Sequence, residues 1–348
     1  MHESIITRLK VLARLATDEH RAAQDGRIAI KNEFGEEIDI RISIVPTTDG
    51  EKSVMRLLTD KASQYSLADL GMREHDLKIF NEAIKKPWGM ILVTGPTGSG
   101  KTTSLYAALK VLNRREVNIA TIEDPVEFDL DGISQIQVNT KTNLTFAKGL
   151  RSIVRQDPDI VMVGEIRDGE TADIAVNAAM TGHLVFSTLH TNDAATAFPR
   201  LKDMGVEDFL VSSTAVAIMA QRLVRKICLR CIYSQKITKK ELALVKRLPT
   251  VSKYLKDITK KKSLTGLRTF AGKGCKACGD TGYSGRSGIF EILMVSDMVR
   301  ATVMEDRNAE QIKNVAIEEG MRTMLYDGLE KVVTGITTLE EILRATQG

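Results

Sequence analysis

The spacing of hydrophobic residues changes along this 348-residue chain, and each change marks a different kind of structure. Residues 5–15 carry isoleucines and leucines at helical spacing, which predicts an amphipathic helix. From Ile38 to Ile44 isoleucines alternate with polar residues, the pattern of a half-buried strand. Two flanking runs predict partner strands, at residues 27–31 and 53–58. The sequence therefore predicts a small α+β domain over residues 1–68, with one helix on an antiparallel sheet.

After a predicted linker at Ser66–Met72, short apolar runs alternate with helical stretches. The runs are residues 90–93, 117–122, 160–163 and 184–189, and the helical stretches are residues 102–113, 146–155 and 170–180. Apolar strands that alternate with helices are typical of a mostly parallel sheet covered on both faces. We therefore predict an α/β core over residues 69–225.

Beyond residue 225 the pattern breaks into paired cysteines and a lysine-rich insert, which predict a separate lobe over residues 226–285. The last part, residues 286–348, predicts three helical segments. The final segment opens with Thr338-Leu339-Glu340-Glu341, a capping-box pattern in which the threonine and the glutamate three residues later satisfy free backbone N–H groups.

The strongest chemical signal follows the first apolar run of the core. It fits the phosphate-loop pattern between a strand and a helix, and its residues are Gly95, Pro96, Thr97, Gly98, Ser99, Gly100, Lys101 and Thr102, followed by Thr103. Glycines let backbone N–H groups surround phosphate oxygens, and the following helix directs its positive end there. Lys101 would reach the β- and γ-phosphates, and the Thr102 hydroxyl would coordinate Mg²⁺. The alternative is a chance glycine loop.

Carboxylates lie at the ends of two other predicted core strands. Glu165 follows residues 160–163, whereas Glu123, Asp124 and Glu127 follow residues 117–122. The carboxyl ends of parallel strands share one edge of a sheet, so both groups should lie beside the phosphate loop. One group would organise the water shell of Mg²⁺ and the other would orient the attacking water. The alternative is that these carboxylates are merely solvated.

Two histidines bracket the strand predicted at residues 184–189. His190 follows it at the edge that carries the phosphate loop, where a γ-phosphate sensor would be placed, and a structural histidine is the alternative. His183 precedes the strand at its opposite end. For His183, a function at the site and a role in holding an interface are equal alternatives.

All four cysteines fall into two Cys-x-x-Cys pairs, Cys228/Cys231 and Cys275/Cys278. The pairs predict two knuckles that hold one tetrahedral, structural Zn²⁺, since four thiolates leave no open coordination position. Reduced thiols or a redox pair are the alternatives, and a cytosolic chain disfavours disulfides. The insert between the pairs, Lys236–Lys262, predicts a solvated helical hairpin. Attraction of this insert to an anionic membrane surface or an acidic partner loop is the alternative.

Composition narrows the class of protein. Hydrophobic residues make up 43% and charged residues 27%, a globular balance that excludes a disordered chain. The sequence contains no apolar run near the ~20 residues that span a membrane, and its N-terminus lacks a signal-peptide core, so we expect a cytosolic protein. A net charge of +4 is too small to indicate nucleic-acid binding, although a weakly basic face would suit lipid or an acidic partner.

The motifs together resemble those of the ATPases that power type II secretion and type IV pilus assembly. They are GPTGSGKTT, TIEDPVE, VGEIRD, TGHLVFSTLHTND and the paired cysteines, with QDGRI and DIRISIVPTTDGEKSVMRLL in the first domain and GYSGRSGIFEIL, GMRTMLYDGL and GITTLEEIL in the tail. The resemblance implies an α/β fold: a RecA-like phosphate-loop core with a parallel sheet, a preceding PAS-like α+β domain, a zinc-binding lobe and C-terminal helices. It also implies a homohexameric ring in which Mg²⁺-dependent ATP hydrolysis turns or pushes an inner-membrane platform protein. The ring would lie at the cytoplasmic face of the inner membrane and would act together with the other secretion or pilus components.

The resemblance implies a role for each matching residue. Lys101 and Thr102 belong to the Walker A loop, Glu165 is the Walker B acid, and the acidic box consists of Glu123, Asp124 and Glu127. The histidine box consists of His183 and His190, and Arg41 and Arg56 are the basic residues that the first domain folds over the nucleotide. Within the acidic box the resemblance makes Glu123 the water-orienting base. Arg41 lies on the polar face of the predicted strand, where a guanidinium suits phosphate charge, and the alternative is that Arg41 and Arg56 are merely solvated surface arginines.

Two departures from the family pattern bear on function. Members usually carry a further N-terminal domain that docks to the membrane complex, and we expect this chain to begin too late to contain it. The paired cysteines favour the assembly and secretion branch over pilus retraction motors. A nucleic-acid translocase with the same core is an alternative that the +4 charge and 5% aromatic content disfavour. A nucleotide-gated scaffold without turnover is another, which the intact Glu123, Glu165 and Lys101 disfavour.

Overall fold

A computed structural model describes residues 2–31, 37–59 and 65–346. The chain divides into two compact units, residues 1–65 and 66–348. The division lies three residues before the predicted domain end at residue 68. The three segments predicted after that point all belong to the second unit.

The first unit is one helix on a three-stranded antiparallel sheet, as the period-two alternation predicts. Its elements are α1 (His2–Leu12), β1 (Gln24–Lys31), β2 (Glu37–Thr47) and β3 (Gly50–Thr59), with β2 in the centre. Ile28, Ile42 and Ile44 are buried on the face that α1 covers, together with Ile6 from the helix. The polar residues of β2 therefore lie on the opposite face.

The second unit contains a seven-stranded sheet in the order β12-β9-β4-β8-β7-β5-β6. Its strands are β4 (Gly89–Thr94), β5 (Ile119–Glu123), β6 (Ser134–Gln137), β7 (Ile160–Val163), β8 (Leu184–Leu189), β9 (Ala215–Ile227) and β12 (Tyr283–Met294). Six strands pair in parallel, and β12 is antiparallel to β9 at one edge. The mixed α/β architecture with a mainly parallel sheet is as predicted.

Helices cover this sheet and continue into the C-terminal region. They are α2 (Glu74–Ala83), α3 (Lys101–Leu112), α4 (Phe146–Ile153), α5 (Gly169–Met180), α6 (Ala197–Asp203), α7 (Asp208–Thr214), α8 (Lys239–Arg247), α9 (Pro249–Thr259), α10 (Asp297–Met304), α11 (Ala309–Glu318), α12 (Met324–Val333) and α13 (Leu339–Thr346). Met90 and Leu92 of β4 join one hydrophobic cluster, and Ile91 and Val93 join the other. Successive side chains of a strand face opposite ways, so a strand buried on both faces is apolar throughout.

Three predictions for the second unit need correction. Residues 66–72 are not an open linker, because Leu67 and Met72 are buried in the core of this unit. The C-terminal region contains four helices among the described residues, and its first part, through Met294, is a sheet strand. The capping box is half formed: the Glu341 N–H donates to the Thr338 hydroxyl, but the Glu341 carboxylate binds Arg225 and Arg344.

The cysteine lobe is built on a small hairpin of β10 (Ile232–Lys236) and β11 (Arg268–Gly272), with α8 and α9 between these strands. The two helices are not a free hairpin, because Val251 and Leu255 are buried against the main core. Tyr254 of α9 packs edge-on against Tyr326 of α12, with ring centroids 5.2 Å apart. One side of the insert is therefore fixed to the C-terminal helices.

Candidate functional site

The phosphate loop connects β4 to α3 in the centre of the sheet. Gly95, Gly98 and Gly100 have φ values of +146°, +77° and +88°, a region that favours glycine. A Cβ atom on Gly95 would lie 2.4 Å from the Gln221 carbonyl oxygen, so space as well as backbone angle requires glycine there. Gly98 has open space around it, so glycine is required there only because of the backbone φ angle.

Lys101 begins α3 and is buried within the loop. Its Nζ donates to the carbonyl oxygens of Gly95 (2.8 Å) and Pro96 (3.2 Å). Burial lowers the pKa of Lys101, and the charge of Glu165 opposes that shift. Thr102 and Thr103 follow in the first helical turn and are half-exposed. The loop thus combines a cation with the N–H groups of a helix start, which suits a phosphate anion.

Gln221 of β9 fixes the loop from the neighbouring strand, and the sequence reasoning missed it. Its Nε2 donates to the Ser99 carbonyl oxygen (2.8 Å), and the Ser104 hydroxyl donates to its Oε1 (2.7 Å). The Gln221 side chain is buried, so both bonds are formed away from water. A glutamine 120 residues further along the chain gives no local signal, and only the pairing of β9 with β4 brings it to the loop.

The Walker B candidate Glu165 and His190 lie together at the carboxyl edge of the sheet. The Glu165 carboxylate contacts His190 Nε2 (3.4 Å) and Arg167 Nη2 (2.5 Å). They follow β7 and β8, and β8 pairs with β4, so this pair is at the edge that carries the phosphate loop. The structure therefore brings together Lys101, Glu165 and His190, three of the predicted site residues.

Glu123 has a different environment from the one that a water-orienting base requires. Its side chain is 2% exposed. One oxygen accepts from the Tyr106 hydroxyl, and the other accepts from Thr121 Oγ1 (2.7 Å) and Gln135 Nε2 (3.1 Å). Burial raises the pKa of Glu123, although these donors oppose the shift. Both carboxylate oxygens are thus committed to neighbours in the protein interior.

The other two members of the acidic box are nearer to solvent. Asp124 is exposed and Glu127 is half-buried. The Glu127 N–H donates to the same Tyr106 hydroxyl (3.3 Å) that binds Glu123, so the Glu123 network fixes the backbone at Glu127. The geometry separates the box into an interior carboxylate and two outer ones.

The four cysteines form a compact cluster. Their sulfur atoms lie within 4.8 Å of one another, with Sγ–Sγ distances of 3.9 Å (Cys228–Cys275), 3.9 Å (Cys231–Cys278) and 3.7 Å (Cys275–Cys278). A tetrahedral zinc site with Zn–S bonds of about 2.3 Å requires sulfurs about 3.8 Å apart. The sulfurs are much too far apart for disulfide bonds, which are about 2.05 Å long.

Backbone N–H groups also point at this cluster. Those of Cys275 (3.2 Å) and Gly282 (3.3 Å) donate to Cys278 Sγ. Desolvation raises the pKa of Cys278, but these donors, together with hydrogen bonds from the Cys275 and Cys231 thiols, outweigh it and bring the pKa to about 6. The residues present therefore fit a structural Zn²⁺ in both spacing and ligand chemistry.

Comparisons with known proteins agree with this geometry. A sequence profile of the Type II/IV secretion system protein family matches residues 1–344. The chain belongs to this family. It is 47% identical over 343 residues to Type II secretion system protein E of Pseudomonas aeruginosa, covering 99% of this chain and 65% of that protein. It is 45% identical over 343 residues to the type IV pilus assembly ATPase PilB of Thermus thermophilus, covering 99% of this chain and 37% of that protein.

The family likeness extends to known folds. The chain superposes on the crystal structure of the pilus retraction motor PilT with bound ADP at a TM-score of 0.70, with 24% identity, covering 99% of this chain and 84% of that one. The chain spans about two thirds or less of the length of the two relatives named above. Within the described part of the chain, none of the helices combines the length and hydrophobicity needed to cross a bilayer.

The arginines assigned by the family resemblance lie in the first unit and form part of a row. Arg41 of β2 is directly opposite Arg27 of β1 and Arg56 of β3. Residues opposed in this way project from the same face of a sheet, with Cβ atoms about 5 Å apart. Sequence reasoning identified Arg41 and Arg56 but missed Arg27, although its place in a strand candidate beside an alternating strand was a usable signal.

His183 is the one predicted site residue of the second unit that lies clearly elsewhere. It precedes β8, and its Nδ1 contacts the Ala178 carbonyl oxygen (2.9 Å) at the end of α5. Six strand residues separate it from the loop edge, or about 20 Å. His183 therefore lies too far from the phosphate loop of its own chain to bind nucleotide there, and its predicted role as a nucleotide-binding residue needs correction. The local contact is typical of a structural histidine.

Removing Gln221 tests whether the phosphate loop depends on β9. We expect Gln221→Leu to raise KM for ATP about tenfold and to lower kcat much less, because the loop loses two buried hydrogen bonds but keeps Lys101. Steady-state kinetics on the purified protein measures both constants. Gln235→Leu, in β10, is the matched control. An unchanged KM would show that the loop holds its shape without Gln221.

Zinc removal should unfold only the cysteine lobe. We expect about one zinc per purified chain by elemental analysis, and Cys275→Ser with Cys278→Ser should abolish it. Since the phosphate loop shares no ligand with the cluster, nucleotide affinity should change less than about threefold. Metal-free wild-type protein with an unchanged melting curve would contradict a structural role for zinc.

Proposed function

We propose that this chain is an ATP-hydrolysing motor of a type II secretion or type IV pilus assembly system. The observation that carries the proposal is the phosphate loop, with buried Lys101 inside it and the Glu165–His190 pair at the same sheet edge. Membership of the secretion family and the names of the two relatives support the biological setting.

The residues of the loop divide the work of phosphoryl transfer. Lys101 and the N–H groups of Gly98–Lys101 would hold the β- and γ-phosphates, and Thr102 would hold Mg²⁺ with Glu165 organising its water shell. Mg²⁺ supplies charge neutralisation on the phosphates when bound. His190 shares a contact with Glu165 and would report the state of the γ-phosphate to the loop after β8.

For the water-orienting base we infer Glu127, in place of Glu123. A general base must reach its water within hydrogen-bond distance, and both oxygens of Glu123 are already engaged in the interior. Glu127 has its backbone fixed by Tyr106 and its side chain at half-buried depth. Glu123 would then be a positioning residue that acts through Tyr106.

The first unit carries an arginine row, which consists of Arg27, Arg41 and Arg56. This row supports the proposal that the first unit closes over bound nucleotide. The three guanidinium groups start from directly opposed strand positions, and clustered guanidinium groups suit the spread charge of a polyphosphate. We infer that the row closes on the γ-phosphate, of its own or a neighbouring subunit, and opens after hydrolysis. Closure requires a hinge, and the burial of Leu67 and Met72 disfavours the predicted linker at Ser66–Met72 for that role.

The assembly and its partners are further parts of the proposal. A homohexameric ring, a zinc-stabilised lobe and an inner-membrane platform protein as the driven partner are what the family implies. We place the protein at the cytoplasmic side of the inner membrane, and we expect no nucleic-acid substrate. The four clustered cysteines favour assembly or secretion over retraction.

Turnover by the arginine variants tests the motor proposal. The purified chain should hydrolyse ATP with Mg²⁺, and Arg41→Ala and Arg56→Ala should each lower kcat at least tenfold while ATP binding changes little. Nucleotide binding is measured with a fluorescent ATP analogue, and ring size by light scattering. Lys52→Ala, an exposed residue of β3, is the control. No hydrolysis by assembled wild-type rings would contradict the motor proposal. Wild-type turnover in both arginine variants would contradict only the proposed closure of the arginine row and would leave the motor proposal standing.

A further inference from the structure

The loop that follows β8, residues 190–196, connects His190 to α6, and we call it the sensor loop. At its first position His190 contacts the Glu165 carboxylate (3.4 Å). The Thr94 hydroxyl, one residue before the phosphate loop, lies 3.5 Å from the Asp193 carbonyl oxygen. The sensor loop therefore borders both the phosphate loop and the Walker B candidate.

Two contacts tie the sensor loop to the C-terminal region, residues 286–348. The Asp193 carboxylate pairs with Lys313 Nζ of α11 (3.0 Å). The Ala194 N–H donates to Glu291 Oε1 of β12 (3.2 Å). Lys313 and Glu291 follow their loop partners by 120 and 97 residues. The position of the loop thus depends on distant parts of the chain.

Glu291 lies at a core position of the sheet. Its side chain is 1% exposed, and it lies between Ile289 and Leu293 on one face of β12. Both of these neighbours belong to the hydrophobic core of the second unit. Burial of a carboxylate among aliphatic side chains costs free energy unless hydrogen bonds and an opposite charge compensate. A carboxylate here therefore indicates a task that an aliphatic side chain could not perform.

The two oxygens of Glu291 bind different elements. Oε1 accepts from the Ala194 N–H, and Oε2 accepts from the Met324 N–H (3.3 Å) at the start of α12. Lys313 Nζ lies 3.9 Å from Oε2 and also binds Asp193. Capping of α12 requires only one of these oxygens, so the bond to the sensor loop is a separate task. One carboxylate and one lysine together link the loop to β12, α11 and α12.

The ion pair between Asp193 and Lys313 is accessible to water. A cavity of about 640 Å³ borders both side chains and Glu291, and residues of α9, α11 and α12 contribute to its lining. The exposed fractions are 25% for the Asp193 side chain and 29% for the Lys313 side chain. Because water can solvate either partner, removing one charge of this pair leaves no dry, unpaired ion. Variants of Asp193 should therefore fold.

We propose that Glu291 and Lys313 are positioning residues that hold the sensor loop, and with it His190, in the geometry required for ATP hydrolysis. Since both residues belong to C-terminal elements, a movement of α11 or α12 would shift His190 relative to Glu165 and change turnover without contacting the nucleotide. This inference rests on the proposed ATPase function and adds to it a means by which the C-terminal helices regulate hydrolysis.

Glu291→Gln tests the link by kinetics. The amide keeps the size of the side chain but offers no charge to Lys313, and its NH₂ group faces the N–H of Ala194 or of Met324. We expect kcat to fall about 30-fold, whereas affinity for a fluorescent ATP analogue should change less than threefold. Glu318→Gln, at an exposed glutamate of α11, is the matched control and should keep wild-type turnover.

Variants of the ion pair test the same link from the other side. Asp193→Asn should lower kcat about tenfold, because a neutral amide oxygen binds the Lys313 ammonium more weakly than a carboxylate does. Lys313→Met should lower kcat at least tenfold. Lys313→Arg keeps the charge and should hold kcat within about threefold of wild type.

A double-variant cycle with His190→Ala separates positioning from a purely structural effect. If Glu291 acts through His190, Glu291→Gln should cost less than about twofold in kcat once His190 is alanine. Hydrogen exchange without ATP gives a second measurement. A peptide that contains residues 190–196 should exchange at least tenfold faster in Glu291→Gln than in wild type, whereas peptides of β4 should be unchanged.

The outcomes separate this inference from the motor proposal. An equal loss from Glu291→Gln with and without His190 would overturn the inference, since the two residues would then act independently. Unchanged turnover by folded Glu291→Gln, or unchanged exchange of residues 190–196, would also overturn it. If the melting curve shows that Glu291→Gln does not fold, the same cycle with Asp193→Asn decides. An inactive wild-type chain would contradict the motor proposal, and hydrogen exchange would still decide whether Glu291 holds the loop.

Discussion

Lys101→Ala should abolish ATP hydrolysis, lowering kcat by at least about 1000-fold. The Lys101 ammonium is the buried cation of the phosphate loop, and it donates to the carbonyl oxygens of Gly95 and Pro96. A phosphate that enters the loop gives this ammonium a better acceptor than two carbonyl groups. Charge on the γ-phosphate shifts during transfer, so the loss affects the transition state as well as binding. We therefore also expect ATP affinity to fall at least tenfold.

The measurement is ATP turnover together with binding of a fluorescent nucleotide. Lys110→Ala is the matched control, because Lys110 is an exposed lysine on the same helix. The melting temperature of Lys101→Ala should stay near that of wild type, since removing the desolvation cost of a buried charge offsets the loss of its hydrogen bonds to the Gly95 and Pro96 carbonyl oxygens. Turnover within tenfold of wild type would show that the loop binds phosphate without its lysine, contrary to the proposed function.

The phosphate loop and its strands were predictable because their signals are local. A strand buried on both faces is apolar throughout, and β7 and β8 have the bounds that the apolar runs predict, Ile160–Val163 and Leu184–Leu189. The glycine positions follow from φ values that other residues rarely adopt. In these segments the residue propensities and the hydrophobic pattern agree with the final structure, so short windows of sequence are sufficient to predict it.

The missed elements depend on residues far apart in the chain. Strand β9, Ala215–Ile227, contains three alanines and three basic residues besides Met219 and Gln221, which favour helix more than strand, and its pairing with β4 overrides that preference. Strand β12 in turn pairs with β9, so missing the first strand conceals the second. The role of Gln221 could not be predicted for the same reason.

Side-chain depth was the other property that the sequence did not reveal. The motif around Glu123 indicates a group of acids at a strand end, and both Glu123 and Glu127 satisfy that pattern. Which of them faces the interior is decided by Tyr106, seventeen residues earlier, and by Gln135, twelve residues later. Similarly, the +4 total conceals the +12 of the cysteine lobe, residues 226–285, which contains fifteen basic and three acidic residues, because summing over the chain removes the position of each charge.

Exchanging each glutamate of the acidic box for glutamine should separate catalysis from support. Glu127→Gln should bind ATP normally but lower kcat about 100-fold, because a neutral amide cannot accept the proton of the attacking water. Glu123→Gln should instead keep kcat within about threefold and destabilise the fold by about 1–3 kcal/mol. The new NH₂ group would face donors from Tyr106, Thr121 and Gln135, so at least one buried donor loses its acceptor.

Thermal melting and single-turnover kinetics on both variants decide between the two roles. Tyr106→Phe is the informative companion, since it removes one donor to Glu123 and the acceptor of the Glu127 N–H. It should lower both stability and turnover, because it loosens the backbone that positions Glu127. The opposite pattern, an inactive Glu123→Gln with an unchanged melting temperature and an active Glu127→Gln, would restore Glu123 as the base. The interior network would then have to open during each catalytic cycle to admit water.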